Sequence, residues 1–329
     1  MNIAVVIVTY NSADTLRACL DALARQTMKP ARTLIVDNAS PMGFPSDAVK
    51  GRDVELIFND RNVGFAAANN QALARLYADP TVDCVALLNP DAFPEPDWLA
   101  QLAAAALRHQ DADAFASRLM AAGTDLLDGA GDQYHVSGLA WRAGHGLNVS
   151  PKYLVERDVF AACAAAAMYR VKSLRRVDGF DAALFCYFED VDLSVRLRRL
   201  GGRCVYVPSA VVWHVGAAST KSDPNFRLYY GHRNMVRVFL KDMPTPLLLL
   251  ALPAHLIVNV IGIARGAWRG QAALVVRAKL DALKSLPEIV RQRRAIQRQA
   301  TVGAWGMLKH MRMLPWRDLD AAAIEKDRD

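Results

Sequence analysis

Four short apolar runs alternate with helical patterns at the start of this chain, and each run empties into a polar loop. Residues 3–8, 33–36, 54–58 and 84–88 have the length and apolar density of buried strands. Between the first two, Ser12 is placed as an N-cap, and Leu16, Cys19, Leu20 and Leu23 share one face of the helix that follows. Residues 64–77 form a second helical pattern carrying Ala67, Leu73 and Leu76. Strands alternating with helices predict an α/β sandwich with a mostly parallel central sheet. In such sheets ligands bind outside the carboxyl ends of the strands. The loops at those ends are Thr9-Tyr10-Asn11-Ser12, Asp37-Asn38-Ala39-Ser40, Asn59-Asp60-Arg61-Asn62 and Asn89-Pro90-Asp91. Turn chemistry explains any one of them. Their recurrence along one edge predicts a site.

Further along, Tyr187-Phe188-Glu189-Asp190-Val191-Asp192-Leu193 places three carboxylates within four residues, where a pattern of Leu193, Leu197 and Leu200 opens a helix. One acidic residue suffices to meet orphan N–H groups and the helix dipole. Three, behind the apolar run Leu184-Phe185-Cys186-Tyr187-Phe188, predict that one is partly desolvated and suited to general-base work.

Neither GxGxxG nor GxxxxGK[ST] follows the first strand, which argues against a dinucleotide oxidoreductase and a P-loop kinase. The loops offer instead an aromatic ring, a carboxylate able to bind a base or ribose, and a later carboxylate able to hold a divalent cation on a diphosphate. That set suits a nucleotide sugar. A chain of 329 residues, 53% hydrophobic, has room for about two domains. Its five cysteines show no CxxC spacing and its apolar strand pattern starts at Ile3, so a reducing, cytoplasmic setting is expected.

The runs Val6-Ile7-Val8-Thr9-Tyr10-Asn11-Ser12, Val36-Asp37-Asn38-Ala39-Ser40, Asn62-Val63-Gly64-Phe65-Ala66-Ala67-Ala68-Asn69-Asn70, Leu88-Asn89-Pro90-Asp91, Gly179-Phe180-Asp181, Phe188-Glu189-Asp190-Val191-Asp192-Leu193 and Trp213-His214 occur in this order. Over about residues 3–240 the chain resembles family 2 glycosyltransferases, and within them rhamnosyltransferase-like enzymes of bacterial polysaccharide assembly. The resemblance implies a GT-A-type nucleotide-diphospho-sugar transferase sandwich followed by a C-terminal helical region. It implies an inverting transfer, with L-rhamnose from dTDP-rhamnose as the expected donor sugar. Thr9, Tyr10 and Asn11 would line the base pocket, and Asp37 would bond the pyrimidine or its ribose. Asn62, Asn70 and Asn89 would neighbour the nucleotide and sugar. Asp91 matches the last residue of the family's DXD motif, whose first Asp is here Asn89, and Asp91 with His214 would hold Mg²⁺ or Mn²⁺. Asp190 matches the catalytic base; Glu189 and Asp192 would flank it, and Arg233 would help to neutralise the diphosphate. A nucleotide-sugar binding or regulatory protein, or a metal-dependent nucleotide-sugar hydrolase, stands as the alternative.

The expected division is a catalytic domain over residues 1–243, with a nucleotide-sugar half to about 115 and an acceptor half over 116–243, and a helical, basic region over 244–329. Residues 115–151 lack periodicity and read as a long loop on the acceptor side. Residues 221–329 carry 19 Lys+Arg against 9 Asp+Glu, a net +10, which leaves −3 for residues 1–220 of the total +7. Residues 247–264 are mainly apolar but interrupted by Pro253, His255 and Asn259, which predicts a helix lying in or re-entering a membrane interface rather than spanning it. Arg277, Lys279, Lys284, Arg291, Arg293, Arg294 and Arg298 follow on helical patterns suited to anionic head groups. The end of the chain, from Asp318, is expected to fray. The partners expected are a nucleotide-diphospho-sugar donor, a glycolipid or polysaccharide acceptor and an anionic membrane surface. No nucleic acid is expected, and packing of the tail against a second copy of the chain stays open.

Overall fold

A computed structural model describes residues 1–216 and 223–313. In chain order the elements are β1 (Ile3–Thr9), α1 (Ala13–Ala24), β2 (Arg32–Asp37), α2 (Ser46–Val49), β3 (Glu55–Phe58), α3 (Phe65–Tyr77), β4 (Cys84–Leu88), β5 (Ala92–Pro94), α4 (Trp98–Arg108), β6 (Ala114–Ala121), β7 (Leu127–Ala130), β8 (Asp132–Tyr134) and β9 (Ala140–Arg142). There follow β10 (Arg157–Val159), β11 (Ala166–Arg170), α5 (Val171–Arg176), α6 (Glu189–Arg199), β12 (Cys204–His214), α7 (Pro224–Asp242), α8 (Thr245–Trp268), α9 (Ala272–Lys284), α10 (Leu286–Gln299) and α11 (Ala304–Leu308). The expectation of fraying from Asp318 falls outside the described residues.

The main sheet runs β10-β12-β6-β11-β4-β1-β2-β3, with β5 added beside β12 and β7 beside β6. Along that path only β11 and β10 run against the rest. The strands read as unbroken apolar runs because both faces of the sheet are covered. On β1, Ala4, Val6 and Val8 join α3, α5 and α6 in one core, while Ile3, Val5 and Ile7 join α1 and α4 in the other. A third core joins Tyr134, Phe160, Leu184, Val191 and Val195 to Val238, Phe239, Leu247, Ala251 and Met307. Residues from both sides of position 243 therefore share one interior.

Two local expectations need correction. Ser12 occupies the N-cap position of α1, but its hydroxyl donates to the Tyr10 carbonyl at 3.3 Å and makes no cap bond. The segment 115–151 is not a loop: it holds most of β6, then β7 and the β8–β9 hairpin. Its strands are too short and too rich in glycine for a period to show.

Candidate functional site

The parallel register fixes where the site lies. Thr9 pairs with Asp37 at the ends of β1 and β2, so their loops open side by side. The Thr9 hydroxyl donates to Asp37 Oδ1 at 3.0 Å, and the Ser40 hydroxyl donates to the same oxygen at 2.6 Å. Both residues are buried and brace the loop rather than line the cavity. Asn11 is likewise a brace, with positive φ and its Oδ1 accepting from the Met42 amide at 3.2 Å. Below them an amide network forms the floor: Asn38 Nδ2 donates to Asn62 Oδ1 at 2.8 Å, and Asn38 Oδ1 accepts from Val63 N–H at 2.9 Å.

A cavity of about 550 Å³ opens above this floor, and Tyr10, Asn62, Asn89, Asp91, Glu189, Asp190 and His214 line it. At one end, β5 pairs with β12 so that His214 sits opposite Ala92, next to Asp91. His214 Nε2 is 3.4 Å from Asp91 Oδ1, and Nδ1 is 2.8 Å from Asp128 Oδ2. Asp128 sits in a bulge between β6 and β7, where the register shifts from Leu119↔Gly129 to Met120↔Leu127. A bulge re-aims a side chain, and here it turns a carboxylate towards the histidine. Arg142 Nη1 donates to Asp128 as well. Burial pushes the imidazole down, but the hydrogen bonds to Asp128 and Asp91 outweigh it and raise His214 to about 9. For Asp128 burial works upward, yet His145, His214 and Arg142 together hold it well below the usual carboxylate range.

The other end is built by strained backbone. Phe185, Tyr187 and Phe188 all have positive φ, which costs about 1–3 kcal/mol each and persists only where neighbours enforce it. Asn234 enforces it: fully buried, its amide donates to the carbonyls of Leu184, Cys186 and Tyr187 at 2.8, 2.9 and 2.7 Å. Arg233, expected to help neutralise the diphosphate, is not among the residues lining the cavity. Its Nη2 donates to the carbonyls of Ala183 and Leu184 at 2.8 and 2.9 Å, and it helps to hold this turn. Gly64 completes the joint, because a Cβ there would lie 2.6 Å from the Phe185 carbonyl oxygen. So held, the turn delivers Glu189 and Asp190 to the cavity. Asp190 Oδ2 accepts from the Ala164 amide at 3.1 Å and Oδ1 from the Val191 amide at 2.8 Å. Burial raises Asp190, against these bonds. Burial and then the charge of Asp190 hold Glu189 well above the ordinary range, and its Oε2 has no hydrogen-bond partner among the described residues.

Two further expectations fail. Asp192 has no exposure and joins Arg196 at 2.6 Å and Lys241 in an interior ion network, because the helical turn points it away from Asp190. Asn70 spends both ends of its amide on Phe180, donating to its carbonyl at 2.7 Å and accepting from its N–H at 2.9 Å. The residues not foreseen are Asn38, Asp128, Asp132, Arg142 and Cys163, all but Asp128 on the cavity wall. Arg142 and Asp132 face each other across the β8–β9 hairpin.

The fold and the cavity define a glycosyltransferase that uses a nucleotide sugar. The family model for glycosyl transferase family 2 matches residues 4–178, and the chain belongs to that family. It is 32% identical over 257 residues to an N-acetylglucosaminyl-diphospho-decaprenol L-rhamnosyltransferase of Mycobacterium tuberculosis, covering 72% of this chain and 83% of the relative. Among solved structures it shares the GT-A fold: GalNAc-T7 with UDP, GalNAc and Mn²⁺ aligns at TM-score 0.57 and 17% identity, over 72% of this chain and 47% of that one. A mannosyltransferase, PcManGT of Pyrobaculum calidifontis, with GDP-Man and Mn²⁺, aligns at TM-score 0.51 and 18% identity, over 94% of this chain and 86% of that one. TarS 1–349 of S. aureus with UDP aligns at TM-score 0.52 and 17% identity, over 90% and 88% of the two chains.

Proposed function

We propose that this enzyme moves L-rhamnose, with inversion, from dTDP-rhamnose to a hydroxyl of a lipid-linked acceptor of the N-acetylglucosaminyl-diphospho-polyprenol kind. The observation that carries the reading is the 32% identity, over 83% of its length, to the mycobacterial rhamnosyltransferase. In the reaction the acceptor oxygen attacks the anomeric carbon, its proton passes to Asp190, and the nucleoside diphosphate leaves with the electron pair of the broken bond. Glu189 flanks the base. Tyr10, Asn38, Asn62 and Asn89 surround the donor, and Thr9, Asn11 and Asp37 hold the loop that meets its nucleotide.

Asp91 and His214 fit a divalent ion, Mg²⁺ or Mn²⁺. One offers a carboxylate oxygen and the other a buried Nε2 only 3.4 Å from it, and oxygen and imidazole nitrogen are donors such an ion takes. When bound, the ion neutralises charge on the departing diphosphate. Asp128 and Arg142 orient the histidine from behind.

Residues 1–243 carry the chemistry in this reading, and residues from 244 place it at the cytoplasmic face of a membrane. α8 is long and apolar enough to cross a bilayer by length and composition. Lying in the interface suits it better. His255 and Asn259, with Leu247 and Ala251, form a buried face along the helix, while Leu249, Leu250, Leu256, Ile257 and Val260 are exposed on the other. Gln271 donates to Asn225 Oδ1 at 3.3 Å, so the end of α8 lies beside the start of α7, where Phe226 and Arg227 line the cavity mouth. A helix anchored this way brings the mouth to the acceptor's lipid, and exposed Arg265, Arg277 and Lys284 suit anionic head groups.

The test is incubation with dTDP-rhamnose, UDP- and GDP-sugars and Mn²⁺, with and without an N-acetylglucosaminyl-diphospho-lipid. Transfer only from dTDP-rhamnose, and only with the lipid present, is expected. Release of free sugar without acceptor would make the protein a hydrolase, and binding without turnover a regulatory protein. Association with anionic liposomes should fall when Leu250 and Ile257 are both changed to Glu. Equal partition of the variant and the native chain would remove α8 from the membrane.

A further inference from the structure

A carboxyl that belongs to none of the motifs stands beside the proposed base. Asp132, on β8, is 5% exposed and lines the cavity, and its Oδ1 has no hydrogen-bond partner among the described residues. Asp132, Cys163 and Asp190 each bring one side-chain atom to within 4.8 Å of the other two. Arg142 sits opposite Asp132 in register, but its Nη1 is committed to Asp128. The other titratable groups around the pair are Asp128, Glu189, Cys186 and Tyr169, which bring no positive charge. Two carboxylates this close, both buried and sharing one cation that is hydrogen-bonded to a third carboxylate, do not both stay ionised. Asp190 has two backbone N–H groups to hold its negative charge, and Asp132 has an oxygen with none. The proton therefore belongs on Asp132.

We propose that Asp132 is an acceptor-binding residue that works as a neutral carboxylic acid, donating a hydrogen bond to the sugar hydroxyl whose proton Asp190 takes. A separation of no more than 4.8 Å suits this, since one hydroxyl oxygen reaches two carboxyl oxygens by hydrogen bonds of roughly 2.7 Å each. The hydroxyl then accepts from Asp132, donates to Asp190, and keeps a lone pair for the anomeric carbon. Asp132 holds its proton throughout; the only proton moved is the acceptor's, to Asp190. Burial first, and then the charge of Asp190, hold Asp132 well above the ordinary carboxylate range, which agrees with the assignment. The inference rests on Asp190 being the base, and it adds a second acceptor contact on the same side of the cavity.

The experiment compares Asp132→Asn, Asp132→Ala and Cys163→Ala with the native enzyme, using dTDP-rhamnose and an N-acetylglucosaminyl-diphospho-lipid across pH. Asn keeps a neutral donor, so transfer should stay within about tenfold of native, while Ala should lose about 10² with most of the loss in the acceptor term. The native enzyme should lose activity at high pH as Asp132 ionises, and in Asp132→Asn that limb should move up by about one pH unit or more. Cys163→Ala should leave the limb in place. Equal losses for Asn and Ala, or an unmoved limb, would overturn the proposal. Carboxyl ¹³C spectra of labelled aspartate give a readout that needs no turnover: a protonated aspartate signal at pH 7 should vanish in Asp132→Asn, and its absence from the native spectrum would also overturn the idea. Loss of Mn²⁺ binding in Asp132→Asn would assign the pair to a cation instead. Asp190→Asn separates the two readings, because an active Asp190→Asn enzyme removes the base itself, whereas an inactive one with an unmoved Asp132→Asn limb removes only the role given to Asp132.

Discussion

The two ends of the cavity hold buried carboxylates among different partners. At the β5–β12 end Asp128 and Asp91 meet His214 and Arg142, so negative charge is matched by positive charge. At the start of α6, Glu189 and Asp190, with Asp132 nearby, meet backbone amides and one another. Burial is similar at both ends; the partners differ. Matching charge keeps the carboxylates ionised, the form that binds a cation once the histidine gives up its proton, whereas unmatched burial raises the proton affinity of an ionised carboxylate and so strengthens it as a base. In the proposed reaction one cavity thus carries two functions, one at each end.

The strongest blow to this contrast is Asp190→Asn. Transfer should fall by about 10² or more with donor binding nearly intact, measured by turnover beside donor titration. A variant within a few fold of native would show that the unmatched end does no proton transfer. Next, Asp91→Ala and His214→Ala should each weaken metal-dependent donor binding by roughly 10–100-fold, read by titration with and without EDTA. Turnover that ignores EDTA would break the assignment of the matched end whatever the variants do.

Stability separates the ends as well. Asp128→Asn strands Arg142 and leaves His214 with a weaker partner, and should destabilise the fold by about 3 kcal/mol in chemical denaturation. Glu189→Gln replaces a group already held neutral by burial and should cost no more than about 1 kcal/mol. Similar costs for the two would erase the contrast. The matched end can also be tested by pH. His214 rises from 6.5 to about 9 on folding, so the stability it contributes is full below pH 6.5 and is lost as pH climbs through 9. Metal-free native protein should therefore lose melting temperature over that window, and His214→Ala should lose less; parallel curves would show that the pair contributes nothing.

Much of this arrangement was legible along the chain. The strands at residues 84–88 and 3–8, the polar loops at their ends and the Glu189-Asp190 helix start all follow from local patterns, since apolar runs and turn residues act within a few positions. Local patterns misled where one side chain had to choose among partners. Asp192 stands two residues from Asp190 and looks equivalent to it, yet the helix turns it onto Arg196 and Lys241. Arg233 looks like a diphosphate ligand, yet its donors are used by the Ala183 and Leu184 carbonyls. The polar interruptions at His255 and Asn259 looked like defects in a membrane helix, yet they are one spacing of four apart and form its packed face.

By itself the sequence determined the α/β class, the edge at which the polar loops gather and the acidic segment that opens α6, because each depends on residues near one another in the chain. Only the tertiary structure decided which carboxylates are matched and which are not. His214 and Asp128 are 86 positions apart, and they meet because β6 pairs with β12 and a bulge at β7 turns Asp128 inward. Asp132 also reaches Asp190 from far along the chain, through a hairpin whose strands are too short to show a period. The electrostatic state of a buried group is set by everything packed around it, and no spacing along the chain encodes that neighbourhood.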